Sequence, residues 1–527
     1  MPAPLFLTGF MAAGKTSVGR ALAKATGRRF IDLDDEIDTG KETLAKLVAR
    51  DEAEFRRREA AALAELIENA TDGPVIATGG GAAVYGDNMT KMRAAGLVVA
   101  LGVDVATAQA RAAGGPPRPL LAAAAELHAK RASIYRRAHA VVDTSARGID
   151  DVVDAVAAVE HAWQRLPLHH RDSTLLALDE RSYPIVVHER AVDGELVRAY
   201  LEGASRIVVI TDREVARNWQ SSVVAALPGA EVIAIEPGEI HKSVATYSEL
   251  CEALVALGLD RASVLIALGG GVVGDITGFV AATLLRGIPV IQLPTTLVAM
   301  TDAAIGGKTA VDLQAGKNLV GAFWQPRLVA CGLQTLATLP ARERRAGFGE
   351  LWKYALLDGL ELWQLVDTCA AWAAGDDPTP PRALHEVIHR AIAYKAAIVG
   401  CDERELTGQR ALLNLGHTVG HAIETVTGLH HGEAVGLGLI AAARVSAAVV
   451  GARRDLETEI TAALNRTGLP ADLNPVLTDE VLDRIRVDKK RIGDKLRFIA
   501  IREVGLCDPV EITVTELRRI LRPSSAA

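Results

Sequence analysis

The 527-residue sequence predicts an α/β fold in two parts. An N-terminal unit builds a parallel sheet around a phosphate-binding loop. A two-part unit follows, with a Rossmann-like α/β nucleotide half and then an all-α metal-binding half. Three observations carry this. Leu5-Phe6-Leu7 leads into Gly9-Phe10-Met11-Ala12-Ala13-Gly14-Lys15-Thr16 and then a helical apolar pattern, so a GxxxxGK[ST] sequence stands between strand and helix. Strand-like runs at 185–188, 206–211, 231–235, 264–268 and 290–293 alternate with helical patterns. Beyond about residue 330 the periodicity turns helical, and residues 414–438 gather His417, His421, His430 and His431.

Composition narrows the function classes. The length favours three or four domain-sized units, and 49% hydrophobic residues supply a large core. Aromatic residues are only 4% and the net charge is −7, so no basic stripe or stacking surface suggests a nucleic-acid partner. Small molecules are the expected partners. Cys251, Cys331, Cys369, Cys401 and Cys507 are scattered and form no CxxC pair, which points to a reducing cytoplasm. No charged start precedes an apolar segment, and no apolar run reaches about 18 residues without interruption, so neither export nor a membrane span is expected.

Within residues 1–163 the glycines let backbone N–H groups close around phosphates, and the helix N-terminus adds positive potential. Lys15 reaches terminal phosphates and Thr16 can hold Mg²⁺. Asp32 and Asp34 are two apart on a second strand and point to one side at its C-terminal edge. One suits metal water and the other an acceptor hydroxyl. Val75 to Gly81 reads as a strand ending in three glycines, open to close ligand approach. Arg56 lies in a charged helix, and Arg111, Arg118 and Arg131 belong to a Gly/Pro-rich stretch that reads as a lid.

In order, GFMAAGKTSVGR, FIDLDDEID, EFRRRE, TGGG, RPLL and AKRASIY resemble shikimate kinase across this unit. The resemblance implies a P-loop kinase in which Gly14, Lys15, Thr16 and Ser17 bind ATP and Thr16 and Asp32 hold Mg²⁺. It implies that Asp34, Arg56, Gly80 and Arg131 grip shikimate. Arg111 would lie beside the adenine and Arg118 over the transferring phosphoryl, with Lys15, Asp34 and Arg118 catalytic. Ala12 stands where the family's loop usually has glycine.

Residues 150–163 have the spacing of a closing helix, and polar residues 164–174 read as a linker. Beyond them, residues 175–330 form the α/β part and 331–527 the helical part. Gly269-Gly270-Gly271-Val272-Val273-Gly274-Asp275 follows a strand and contains GxGxxG, a dinucleotide pyrophosphate signal. Asp212, Glu239 and Lys242 follow neighbouring strands, within reach of a cofactor. Arg286, Asp302, Lys308, Lys317 and Asn318 suggest an anion cradle among glycine-rich turns.

His417 and His421 share one helical face at metal-ligand spacing, and His431 opens a second helix that can bring a third imidazole. Glu350, on one face with Lys353, supplies the carboxylate such a site needs. Two imidazoles and one carboxylate leave Zn²⁺ an open position.

Residues 183–505 resemble 3-dehydroquinate synthase, through GGGVVGDITGF, PTTLVAMTDAAIGGKTAVDLQAGKNLVGAF, GFGELWK, LNLGHTVGHAIE and HGEAVGLG. The resemblance implies Glu350, His417 and His431 as ligands of Zn²⁺ or Co²⁺. It implies NAD⁺ held by Asp212, Glu239, Lys242, Gly270, Gly271, Asp275, Thr295, Thr296, Lys308, Lys317 and Thr338. Substrate contacts would come from Arg286, Asp302, Lys308, Lys317, Asn318, Lys353, Lys395, Arg410, Asn414, His421 and Lys489. Of these, Lys308, Asn318, Lys353 and His421 are the catalytic candidates. Between Glu405 and Arg410 the chain is one residue longer than the family's usual spacing. The family also implies a homodimer through this unit.

The two resemblances together imply a fusion of two shikimate-pathway enzymes. One phosphorylates shikimate with ATP. The other cyclises 3-deoxy-arabino-heptulosonate 7-phosphate to 3-dehydroquinate, with phosphate release and no net change of NAD⁺. Alternatives for the second unit are another sugar-phosphate cyclase or a glycerol-dehydrogenase-like oxidoreductase.

Overall fold

The computed structural model describes residues 2–40, 42–113, 124–485, 491–492 and 495–522. The chain divides into two compact units, Met1–Ile185 with Ala396–Cys401, and Val186–Lys395 with Asp402–Ala527. The first division therefore falls after residues 164–174, which contain an ordered 3₁₀ turn at Leu168–His170 and a hydrogen bond from Trp163 Nε1 to Arg171 O.

The first unit holds the strands β1 (Leu5–Gly9), β2 (Phe30–Asp32), β3 (Val75–Ala77), β4 (Leu97–Gly102) and β5 (Ala140–Asp143). They form one sheet in the order β2-β3-β1-β4-β5, parallel throughout. β1 is central and buried along its whole length, as expected of an apolar strand covered on both faces. Its neighbours β3 and β4 connect outward in opposite directions, so the crevice at its C-terminal end is the place where parallel α/β sheets bind ligands. The loop after Gly9 and the helix Lys15–Thr26 occupy that end. β6 (Thr174–Leu176) closes the unit by pairing antiparallel with the start of β7 (Tyr183–His188).

The second unit carries β8 (Ile207–Asp212), β9 (Glu231–Ile235), β10 (Val264–Gly269), β11 (Val290–Pro294), β12 (Lys308–Leu313), β13 (Gly316–Phe323) and β14 (Leu328–Gly332). Its main sheet runs β7-β14-β11-β10-β8-β9. The polar series around Lys308, Lys317 and Asn318 proves to be an antiparallel hairpin, β12–β13, rather than a loop. Its alternation is hidden in sequence because β13 buries little: all but two of its eight residues are exposed.

The second half is helical and adds a three-stranded antiparallel sheet, β15 (Arg491–Ile492), β16 (Lys495–Glu503) and β17 (Leu506–Thr513). At its centre is the helix His431–Val449. By length and composition this helix would cross a membrane, but it is mostly buried and serves as a core element. Glycine lets its neighbours touch it backbone to backbone. A Cβ at Gly432 would fall 1.7 Å from Ala346 O, and one at Gly438 would fall 1.9 Å from Gly416 O. These close approaches bring the helices Ala341–Asp358 and His417–Thr427 onto His431–Val449. Glu350, His417 and His431 ride on those three helices.

Candidate active sites

The first unit's site is built at the carboxyl ends of β1, β2 and β3. Gly14 caps the helix Lys15–Thr26 from the left-handed region, at φ 95°, and Ala12 shares that region at φ 59°. Lys15 Nζ donates to Gly9 O and Phe10 O at 3.0 and 2.9 Å, so in the free protein the lysine satisfies its own loop. Thr16 Oγ1 donates to Asp32 Oδ2 at 2.9 Å, and Asp34 N donates to Asp32 Oδ1 at 3.3 Å. Thr16, Asp32 and Asp34 thus stand together at the helix start. Ser17 is exposed in the first turn.

Opposite them is the pair Arg56–Glu59, 2.7 Å apart, with Arg56 also 3.3 Å from Glu52. The triple glycine lets these side chains approach the strand end: a Cβ at Gly81 would lie 2.3 Å from Arg56 Nη1. Arg131 Nη1 donates to Gly80 O at 3.2 Å and Tyr135 hydroxyl donates to the same carbonyl at 2.5 Å. Burial, followed by repulsion from Asp32, raises the Asp34 carboxyl above its ordinary range. A raised carboxyl is a stronger proton acceptor than an ordinary aspartate. Glu59 is fully buried and is also raised, again by burial first. It escaped the sequence reading, where it is one charge among many in a helix, and only its position between Arg56, Gly79 and Asp34 distinguishes it. Arg111 binds Thr144 Oγ1 and Thr144 O. Arg118 lies outside the described residues, as does Lys489 of the second unit.

The second unit's nucleotide half forms its site at the ends of β8 and β10. Gly270 caps the helix Gly271–Thr283 directly after β10, which aims backbone N–H groups at an incoming phosphate. Thr295 N donates to Gly269 O at 3.0 Å, and Thr296 packs against Gly270. Asp212 caps the next helix at Val215 N, 2.9 Å. Thr338 accepts from Trp219 Nε1 at 2.9 Å. Lys242 Nζ lies 2.5 Å from both Asp275 Oδ2 and Asn318 Oδ1. Burial pushes Asp275 up to about 6 despite that ammonium.

Glu350, His417 and His431, the set the resemblance implies, come together as a candidate metal site. Glu350 Oε1 lies 3.3 Å from His417 Nε2 and 3.2 Å from His431 Nε2. The ligand atoms of all three residues fall within 4.8 Å of one another. The other ring nitrogens are occupied: His417 Nδ1 is 3.0 Å from Leu415 O and His431 Nδ1 is 3.0 Å from Glu424 Oε2. A carbonyl or carboxylate there can only accept, so each Nδ1 carries a proton and Nε2 is the nitrogen turned toward a cation. The donor set is one that binds Zn²⁺ and Co²⁺. Burial opposes the charge on Glu350, but Lys353 and His417 hold its carboxyl well below the usual range. Burial works against the His431 cation too, yet Glu350 and Glu424 raise it to about 10, so a metal must displace a proton there. His421 faces His417, with ring centroids 5.1 Å apart, while His430 pairs with Glu343.

In the cradle, the lysines and Arg410 each meet an acid. Lys395 Nζ lies 2.8 Å from Asp302 Oδ1, and Tyr354 hydroxyl donates to the same oxygen at 2.9 Å. Lys353 is 3.8 Å from it. Lys308 pairs with Glu405 at 2.5 Å, Arg410 Nε lies 3.7 Å from Glu405, and Lys317 pairs with Glu424 at 2.8 Å. Glu405 sits at φ 60°, in a turn whose N–H groups at 406, 407, 408 and 410 converge on buried Asp402. Asn414 lies on the 3₁₀ turn Gln409–Asn414 just before His417. Arg286 is exposed at φ 66°, and no ion pair among the described residues joins it to this cradle.

Comparison with known proteins identifies the families of both units. Residues 11–160 match the family model for shikimate kinase. Residues 232–346 match that for the 3-dehydroquinate synthase N-terminal region, and 347–491 that for its C-terminal region. The chain is 43% identical over 345 residues to the 3-dehydroquinate synthase of Caulobacter vibrioides, covering 63% of this chain and 92% of that one. Among solved structures, 2-epi-5-epi-valiolone synthase from Streptomyces hygroscopicus, with NAD⁺ and Zn²⁺ bound, is similar at 29% identity and TM-score 0.59. That match covers 66% of this chain and 97% of the other. A 2-deoxy-scyllo-inosose synthase holding carbaglucose-6-phosphate, NAD⁺ and Co²⁺ is similar at 26% identity and TM-score 0.59, covering 66% and 99%. The chain belongs to the 3-dehydroquinate synthase family through its larger unit and carries a shikimate kinase domain ahead of it, so that two enzymes of the shikimate pathway share one polypeptide.

Proposed function

We propose that residues 1–163 transfer the γ-phosphoryl of ATP to the 3-hydroxyl of shikimate, and that residues 175–527 convert 3-deoxy-arabino-heptulosonate 7-phosphate to 3-dehydroquinate using NAD⁺ and Zn²⁺ or Co²⁺. The observation that carries the second assignment is the Glu350, His417 and His431 triad, ringed by lysines on a unit whose other half opens a helix at Gly270.

In the kinase, Lys15 exchanges the carbonyls of Gly9 and Phe10 for ATP phosphates. Thr16 and Asp32 hold Mg²⁺. Arg56, Arg131 and the Gly80 backbone grip the shikimate carboxylate, and Asp34 orients the acceptor hydroxyl and takes its proton. Glu59 fixes the Arg56 guanidinium.

In the synthase, the bound metal supplies Lewis-acid polarisation and the bound nicotinamide a reversible hydride acceptor. Asp212, Glu239, Lys242, Asp275 and Thr338 hold the nucleotide beside the N–H groups of Gly270 and Gly271. Lys353, Lys395, Arg410 and Asn414 hold the substrate's polar and anionic groups. Lys308, Lys317 and Asn318 stabilise charge developing on the departing phosphate. His421 stands beside the ligands, placed to relay a proton. A cytoplasmic homodimer, joined through the synthase unit, completes the reading.

Two variants test it. Lys15→Met abolishes ADP formation with shikimate and leaves phosphate release from the heptulosonate phosphate intact. His417→Ala does the reverse. Loss of both activities from either change in a folded chain contradicts separate sites, and ADP formation indifferent to shikimate would make the N-terminal unit an ATP sensor.

A further inference from the structure

Glu424, on the helix His417–Thr427, connects two parts of the synthase site. Its Oε2 lies 3.0 Å from His431 Nδ1 and its Oε1 lies 2.8 Å from Lys317 Nζ. Lys317, on the hairpin β12–β13, lies 3.5 Å from Glu239, which opens the turn after β9 in the nucleotide half. The result is a continuous chain of contacts from Glu239 through Lys317, Glu424 and His431 to Glu350. The Glu424 side chain is 13% exposed, so its charge is little screened by solvent.

We infer that Glu424 is a positioning residue: it fixes the His431 imidazole with Nε2 toward Glu350 and His417, and through Lys317 it makes metal affinity depend on whether the nucleotide half is filled. This rests on the reading of Glu239 and Lys317 as NAD⁺ contacts. A histidine that ligates through Nε2 needs an acceptor on Nδ1 to set its tautomer and raise its basicity, and losing that acceptor typically weakens metal binding about 10- to 100-fold. In the free protein Lys317 shares the Glu424 charge. A cofactor phosphate that draws Lys317 away leaves the carboxylate wholly to His431, so NAD⁺ tightens metal binding. By linkage the metal tightens NAD⁺ binding by the same factor.

The test needs no turnover. Zn²⁺ is titrated into the metal-free full-length chain against a chromogenic chelator, with and without saturating NAD⁺, and NAD⁺ binding is measured separately. The expected result is zinc binding about 10- to 100-fold weaker in Glu424→Ala and a smaller loss in Glu424→Gln, which keeps an acceptor oxygen. NAD⁺ tightens zinc roughly 5-fold or more in the unaltered protein and leaves it unchanged in Glu424→Ala and Lys317→Met. The visible absorption of bound Co²⁺ shifts in Glu424→Ala while the far-ultraviolet circular dichroism does not. Should Glu424→Ala fail to fold, Glu424→Gln carries the same comparison. Zinc affinity unaltered in the folded variants overturns the positioning role. NAD⁺ that binds the unaltered protein without moving its zinc affinity overturns the coupling, whereas failure of NAD⁺ to bind at all refutes the nucleotide reading beneath it.

Discussion

Lys353 and Glu350 stand one turn apart on the helix Ala341–Asp358, 1% and 0% exposed, and their ammonium and carboxylate are in direct contact. A buried pair of this kind adds little net stability while intact, but removing one partner strands the other. The partner left here is Glu350, a candidate metal ligand that keeps only the imidazoles of His417 and His431 against it. Lys353→Met is expected to cost the metal-free protein about 3–5 kcal/mol, read as a lowered urea midpoint. Zn²⁺ should recover much of that loss by placing a cation against Glu350. A midpoint that Zn²⁺ does not raise would separate the carboxylate from the metal.

Ala12 holds a left-handed conformation in the phosphate-binding loop, at φ 59°. A Cβ in that region costs about 1–2 kcal/mol, which glycine avoids at the expense of greater freedom in the unfolded chain. Ala12→Gly is therefore expected to raise kinase-domain stability by about 1 kcal/mol without raising the KM for ATP. Ala12→Val, with a branched side chain, lowers it. Thermal unfolding of the two variants checks the sign.

Burial lowers Lys395 from its ordinary 10.5 to about 8, against the pull of Asp302. Between these values the folded protein holds fewer protons than the unfolded chain. This lysine's contribution to stability therefore rises with pH from about 8 to 10.5, and it is lost as pH falls through 8. Function runs the other way, because an anionic substrate needs the charged lysine. The synthase kcat/KM is expected to fall as pH rises through about 8, and Lys395→Met should flatten that limb along with lowering the plateau. A descending limb unchanged in Lys395→Met would assign it elsewhere.

Local sequence determines the phosphate-binding loop and marks the histidine cluster. Gly14-Lys15-Thr16 and the four-residue step from His417 to His421 express helix and loop geometry directly, so short windows suffice. Glu350 is reached across 67 residues only because Lys353 marks its helical face. The residues missed are those whose meaning is set by packing. Glu424 looks like an exposed helical acid until Gly420 and Gly438 bring the next helix close enough for His431 to meet it. Glu59 acquires its buried place from the triple glycine of another strand. In the hairpin β12–β13, three consecutive residues of β12 are buried and β13 is almost wholly exposed, so neither strand shows the alternation that identifies one.

The central claim is that the larger unit uses its nucleotide as a returning hydride carrier rather than as a consumed oxidant. Incubation of the zinc-loaded, full-length protein with NAD⁺ and 3-deoxy-arabino-heptulosonate 7-phosphate tests this most directly, with inorganic phosphate and absorbance at the NADH wavelength followed together. The account predicts many equivalents of phosphate per chain with no accumulation of NADH. NADH formed in step with substrate consumed would contradict it.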